Sequence, residues 1–267
     1  MAAFGLVVFA AIVIVAVAAP LFSDQTPYRT DLRAVRQAPS EAHILGTDIA
    51  GRDIFTRVIY GARISLTVGI GTVAVYGILG VIFGLVSGFY GGWIDAVVMR
   101  VCDTLMSVPT LLVVLMLVTI TEPSLTNIII AIAISRWPGV TRLVRGQVLV
   151  AKQFEYVTAA RALGASGARI MTRHLLPNIL APVIVSASFG MASAILAEAS
   201  LSFLGVGIRP PEPSWGTMLN EARALSVLAE MPWFWIPPGI MTAVTVLCIN
   251  FVGDGLRDAL DPRMKEI

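Results

Sequence analysis

Charge is scarce in this chain. Only 13% of its 267 residues are Asp, Glu, Lys or Arg, against about 25% in a soluble domain. Lysine is nearly absent, with Lys152 and Lys265 the only two. Neither stands in a GxxxxGK[ST] loop, so the chain lacks the usual cradle for nucleotide phosphates. The two histidines, His43 and His174, lie far apart, and no Cys/His spacing suits zinc. No serine has the setting of a nucleophile elbow. The two cysteines, Cys102 and Cys248, fall inside apolar stretches. They read as small buried hydrophobes rather than a disulfide or metal pair. A net charge of +2 is too small to attract nucleic acid. These absences lead us to expect no enzyme, no metal and no cofactor held by this chain.

What the chain has instead is hydrophobicity: 57% of residues are apolar and mean hydropathy is +0.83. Six stretches approach the roughly 20 apolar residues a membrane helix needs. They are residues 1–23, 66–89, the run between Asp103 and Glu122, 124–140, 178–197 and 236–252. The first ends in AVAAP, which resembles a signal-peptide cleavage site, but it lacks a basic start and is longer than a usual signal core. We read it as a span. The chain opens directly in it, which leaves room for a short cytoplasmic leader. No repeat of 20–50 residues is evident. The second stretch carries Gly80, Gly84 and Gly88, a spacing that lets helices approach closely.

Between the fourth and fifth stretches lies a polar island around residues 154–177. The alanines at 159, 160 and 162 favour a helix over 154–163. Gly164 is placed to end it in a left-handed cap. Ser166 can cap a second short helix reaching about His174, and Pro177 then starts the next span. A helix–turn–helix along the membrane surface follows, either meeting a soluble partner or lying on lipid as an amphipathic helix. Small side chains at Ala159, Ala160 and Gly164 permit close approach. Arg161, Arg169 and Arg173 can pair with acids or with lipid phosphates.

Polar residues inside the stretches are functional candidates because bare charge is costly in a membrane. We expect Arg136 to reach back to the membrane surface, and Asp103 to pair with Arg100 one helical turn away. Ser186 and Ser193 share a helix face, and with Glu198 they form a polar stripe that could line a wet pathway or join packed helices. Asn250 is a similar candidate. The Trp cluster near 233 suits an interfacial belt. Asp254, Arg257, Asp258, Asp261 and Arg263 form either a salt-bridged tail against the island or a solvated face. Lys and Arg outside the spans number ten on one side and eight on the other, so charge counting does not orient the chain.

The island resembles the EAA loop of ABC importer permeases: Glu-Ala-Ala, three residues, Gly, nine residues, Ile-x-Leu-Pro. Here it reads Thr158-Ala159-Ala160, Gly164 and His174-Leu175-Leu176-Pro177. Thr158 stands where the family has Glu, and His174 where it has Ile. Three further stretches resemble the dipeptide/oligopeptide/nickel branch. These are His43-Ile-Leu-Gly-Thr-Asp48 with Gly51-Arg52-Asp53, Leu201-Ser-Phe-Leu-Gly-Val-Gly207 with Pro213-Ser214-Trp215-Gly216, and Gly253-Asp-Gly-Leu-Arg-Asp-Ala-Leu-Asp-Pro-Arg263.

The resemblance implies an all-α membrane protein of six transmembrane helices with a cytoplasmic coupling insert, one permease domain over 1–267. It places outer loops at 24–65 and 201–235, spans two to four within 66–149, the insert at 150–177, the fifth and sixth spans at 178–200 and 236–256, and a cytoplasmic tail at 257–267. Both termini would be cytoplasmic in a prokaryotic cell membrane. The implied partners are a homologous permease, two ABC ATPase subunits carrying ATP and magnesium, an extracytoplasmic binding protein and membrane lipid. The residues implied to meet the ATPase are Phe154, Glu155, Tyr156, Ala159, Ala160, Arg161, Gly164, Ala165, Arg169, Leu176 and Pro177. Di- or oligopeptides, nickel or another small solute would be the cargo. The competing class is a stand-alone secondary transporter or channel with helices broken at Pro109 and Pro138. A purely structural scaffold leaves the island's spacing without a reason.

Overall fold

A computed structural model of the chain describes residues 1–23 and 25–260, and its regular elements are helices. α1 (Ala2–Val17) and the single turn α2 (Ala19–Phe22) run to one end of the molecule, where Ser23 Oγ meets Thr56 Oγ1 at 2.6 Å. α3 (Ile54–Tyr90) returns to the other end and turns at Gly91 into α4 (Gly92–Met106). α5 (Thr110–Thr121) leaves α4 at 86°, and α6 (Leu125–Ala151) comes back beside α3. The polar insert follows as α7 (Glu155–Ala162), α8 (Gly167–Arg169) and a π-helical turn (Ile170–Leu175) that runs straight into α9 (Leu176–Phe203). α10 (Trp215–Glu221) and α11 (Leu225–Glu230) cap the first end, and α12 (Pro232–Leu260) crosses last. We refer to the two ends as the loop end and the insert end.

Four of the six expected apolar stretches fall essentially within one helix, while residues 1–23 are divided between α1 and α2 and the third stretch between α4 and α5. Three helical runs are long and apolar enough to cross a membrane: α3, Gly167–Phe203 and α12. α3 begins twelve residues before its apolar core, and its 37 residues span about 55 Å, so its first turns stand beyond a bilayer core of about 30 Å. The third stretch is a correction. α5 has 12 residues, about 18 Å, too short to cross alone. Together with α4 it makes a bent pair that could count as one span. Pro109 supplies the break, since it has no N–H to continue a helix and disfavours helical geometry at Val108. Pro138, by contrast, is absorbed inside α6. α12 runs on to Leu260, so the tail expected from 257 is still helical there.

α3 and α6 meet along a glycine seam. A Cβ built on Gly80, Gly84 or Gly88 would lie 2.5, 2.6 or 2.9 Å from the Cβ of Val140, Val144 or Val148. Each valine thus fills the space an absent side chain leaves, one helical turn after the next. In lipid, where burial of apolar surface supplies no drive between helices, such close packing is what holds them together. Gly77 on the same helix faces open space. Gly84→Leu should therefore lower the melting temperature of the purified protein, by an amount equivalent to about 1–3 kcal/mol. Gly77→Ala should leave it unchanged or slightly raised. Equal losses from both substitutions would refute the seam.

Candidate functional site

The insert starts where α6 ends. Lys152 turns back and its Nζ donates to the Gly88 carbonyl at 3.0 Å, in the last turn of α3 where a helix favours a cation. α7 then buries only Val157, while Phe154, Glu155, Tyr156, Ala159 and Arg161 are exposed and Ala160 is half-buried. The Arg161 guanidinium stacks over the Phe89 ring, 5.9 Å from its centroid. At the turn, Gly164 N–H donates to Arg161 O and Ala165 N–H to Ala160 O, both at 3.0 Å. With Gly164 at φ +80°, this is a Schellman cap. A Cβ at Gly164 would meet nothing within 4 Å, so backbone conformation, not space within this chain, demands the glycine. The left-handed cap expected there is what the structure contains.

Ser166 Oγ then accepts from Arg169 N–H at 3.4 Å, and Gly167 sits against Phe89, where a Cβ would come 3.0 Å from Cε1. Val157, Ile170 and Leu175 are buried pegs that join Leu85, Val144 and Val148 in one core. The opposite side is open: Arg169 and Pro177 are exposed, Ala165 and Leu176 half-buried, and Leu163 is 88% exposed. Thr158 is exposed and bonds only back to Phe154 O, at 3.4 Å. The His174 ring lies 6.4 Å from that of Tyr156.

α4 ties the same end together. Arg145 donates twice to Asp95, from Nε at 2.5 Å and Nη2 at 2.6 Å, a bidentate pair that holds the Asp95 carboxyl below its usual range. Asp103 pairs with Arg142 on α6 rather than with Arg100, because the α4–α6 packing brings the guanidinium across. Among the described residues no ion pair joins Asp254, Arg257 or Asp258 to the insert. Asp261 and Arg263 lie outside the described residues.

Between α3, α6 and α9 lies a cavity of about 270 Å³ lined by Tyr76, Arg136, Gly139, Ser186, Gly190 and Ser193. The structure thus brings the two stripe serines together, with Arg136 facing them. Arg136 is half-buried at this cavity, and its Nε is buried and has no acceptor. Asn250 is half-buried on α12 and lines no part of this cavity. Glu198 is a second correction, for it is 0% exposed and faces no open space. Its carboxylate accepts from Ser202 and Ser214 at 2.7 Å and from Ser65 at 3.4 Å. It therefore clamps α9, α10 and α3.

The loop end is fastened by charge. Arg57, 1% exposed, donates to Asp48 at 2.5 Å and to both Glu221 oxygens at 2.6 and 3.1 Å. Arg52 adds bonds to Asp48 at 2.6 Å and Glu221 at 2.8 Å. Asp53 caps α3 through Thr56 N–H at 2.8 Å, and its other oxygen meets His43 Nδ1 at 2.9 Å. Trp215 is buried and donates from Nε1 to Val58 O at 3.0 Å, so it is part of the core. The motif at 43–53 supplies Asp48 and Arg52 to this clasp, and the motif at 213–216 starts the helix that carries Glu221. Arg57 and Glu221 carry no sequence signal of their own, since they meet across 164 residues.

An all-helical bundle with long apolar helices, polar clasps at one end and an outward-facing capped insert at the other has the build of a membrane-embedded protein. The family model described as "Binding-protein-dependent transport system inner membrane component" matches residues 80–266. That described as "N-terminal TM domain of oligopeptide transport permease C" matches residues 1–39. Similar proteins include the dipeptide transport system permease protein DppC of Alkalihalophilus pseudofirmus, 44% identical over 98% of this chain and 85% of the relative. Another is the glutathione transport system permease protein GsiD of Pectobacterium atrosepticum, 45% identical over 88% of this chain and 77% of the relative. Among solved structures, the MetNI methionine ABC transporter in an inward-facing conformation shares the fold, with a TM-score of 0.59 at 16% identity over 77% of this chain and 96% of that one. The chain belongs to the family of binding-protein-dependent transport system inner membrane components. It is a multi-pass inner-membrane permease subunit of an ABC transport system, whose other parts include ATPase and binding-protein components.

Two outcomes test the clasp and the α4 pair. Arg57→Met should cost about 3 kcal/mol by leaving Asp48 and Glu221 poorly compensated, read as a lower melting temperature and faster proteolysis of the first loop. Arg209→Ala, which removes an exposed partner of Glu122, should change neither. Because the Asp95 carboxyl is depressed, the pair's contribution is complete at neutral pH and fades only as pH falls through that lowered value. Hydrogen exchange in α4 should stay slow until then, and loosening near neutral pH would contradict the pairing.

Proposed function

We propose that this chain is one permease subunit of an ATP-driven importer of short peptides. A homologous permease completes the transmembrane pathway, two cytoplasmic ATPases seat on the two inserts, and an extracytoplasmic binding protein delivers cargo at the loop end. Both termini are then cytoplasmic, on the side of the insert. The observation that carries this reading is the insert itself. It stands on Val157, Ile170 and Leu175, presents Phe154, Tyr156, Arg161 and Leu163 outward, and is continuous with α9. An element pegged on one face and apolar on the other is built to be gripped, because exposed apolar patches rimmed by polar groups mark interaction sites. The dipeptide and glutathione permeases among its relatives support peptides as cargo.

In this mechanism the chain hydrolyses nothing. ATPase closure displaces the insert, and the three pegs transmit the displacement to the α3–α6 core without local unfolding. The Schellman turn keeps α7 and α8 in fixed relation while they move.

Gly164→Trp separates gripping from folding. A Cβ at this position meets nothing within 4 Å, and the left-handed backbone adds a strain of about 1–2 kcal/mol. The complex should still assemble and hydrolyse ATP, while peptide uptake per ATP falls by about tenfold or more. Unchanged uptake in vesicles containing the Trp variant would overturn the assignment of the insert.

A further inference from the structure

Three arginines sit along α6, and two are accounted for. Arg142 meets Asp103 and Arg145 meets Asp95, both across to α4. Arg136 on the same helix has no carboxylate within ion-pair reach among the described residues, and its Nε is buried with no acceptor. A guanidinium left without a counter-ion among apolar helices is costly and marks a functional position.

Its surroundings suit an anion. The cavity of about 270 Å³ is faced by Tyr76, Ser186 and Ser193, and no acidic side chain lines it. Tyr76 brings its hydroxyl up to Gly190, where even a Cβ could not be accommodated, so α9 offers bare backbone there between Ser186 and Ser193. Glu198, the acid further along α9, is consumed by three serines and does not face this space. A guanidinium binds a carboxylate in a matched, two-pronged geometry that an ammonium cannot offer. The volume lies below that of pockets which enclose a whole drug-sized ligand, so it admits one end of a peptide and not all of it.

We propose that this cavity is a subsite on the transport route that takes the terminal carboxylate of the passing solute, with Arg136 as the residue that binds it. The subsite itself is anion-selective whatever the cargo. Only the naming of the anion as a peptide's C-terminus rests on the reading under Proposed function.

The test uses the assembled complex in lipid vesicles, in a background with Cys102 and Cys248 replaced and Ser193→Cys introduced. Thiosulfonate reagents of equal size, one carrying a sulfonate and one a quaternary ammonium, are compared for labelling rate. With Arg136 present the anionic reagent should react about tenfold faster than the cationic one. The ratio should fall to near one in Arg136→Gln and recover in Arg136→Lys. During turnover a dipeptide with a free carboxylate should slow labelling, and its C-terminal amide should not. An unreactive Cys at 193, a ratio indifferent to Arg136→Gln, or a ratio near one from the start (an acid of the partner permease already neutralising Arg136) would each overturn the proposal. Peptide uptake without carboxylate-dependent protection would overturn it as well. Charge preference with no peptide uptake at all would instead leave the anion subsite standing and sink the peptide reading.

Discussion

The close approach of α3 and α6 is the constraint on which the remaining architecture depends. Three glycines four residues apart let Val140, Val144 and Val148 settle onto bare backbone. In a membrane, contact of this kind replaces the hydrophobic drive of a water-soluble core. The seam fixes where Gly88 and Phe89 stand, and those residues receive Lys152, Arg161 and Gly167 from the insert. It also brings Tyr76 up to Arg136 across the same pair of helices. Anchorage of the insert and the shape of the central cavity are thus two results of one packing decision.

Ionisable groups drawn into the bundle are mostly answered by a partner among the described residues, and Arg136 is not. At the loop end Asp48, Arg52, Arg57 and Glu221 form a closed set in which every member has an opposite partner. At the insert end Asp95 and Asp103 answer Arg145 and Arg142. Both sets lie toward the ends of the bundle, where ions are cheapest, and both join segments distant in sequence. Glu198 is deeper, and hydroxyl donors take the place of a cation. Arg136 alone on α6 lacks either kind of compensation among the described residues. A cost left uncompensated at the wall of a cavity is more readily explained by a transient partner than by stability.

Much of the fold was legible because membrane helices announce themselves by composition. Four of the six apolar stretches coincide with a single helix, and the helix–turn–helix of the insert followed from alanines, a glycine and a serine at set intervals. Its second half was less legible: three α-helical residues pass into a π-helical turn, which no local signal at Ile170–Leu175 specifies. The start of α3 was missed because residues 54–65 are too polar to suggest a span, and their polarity is satisfied by loops that only tertiary structure brings near. Asp103 was misassigned for the same reason. A partner at i−3 is visible in sequence, whereas a partner on a neighbouring helix is not. The serine pair of the cavity was readable from its seven-residue spacing. Glu198, next to that pair in sequence, was not separable from it without knowing that Ser214 folds back onto it.

The run from Gly167 to Phe203 is one helical rod of 37 residues, about 55 Å long, with the second half of the insert at one tip and Glu198 near the other. Such a rod converts small rotations into large excursions. Pivoting about the insert by about 10° sweeps its far tip through roughly 10 Å. The hydroxyl clamp on Glu198 therefore joins the part of the chain that would travel farthest to α10 and the outer loops. A modest tilt begun at the insert end would be magnified geometrically at the loop end.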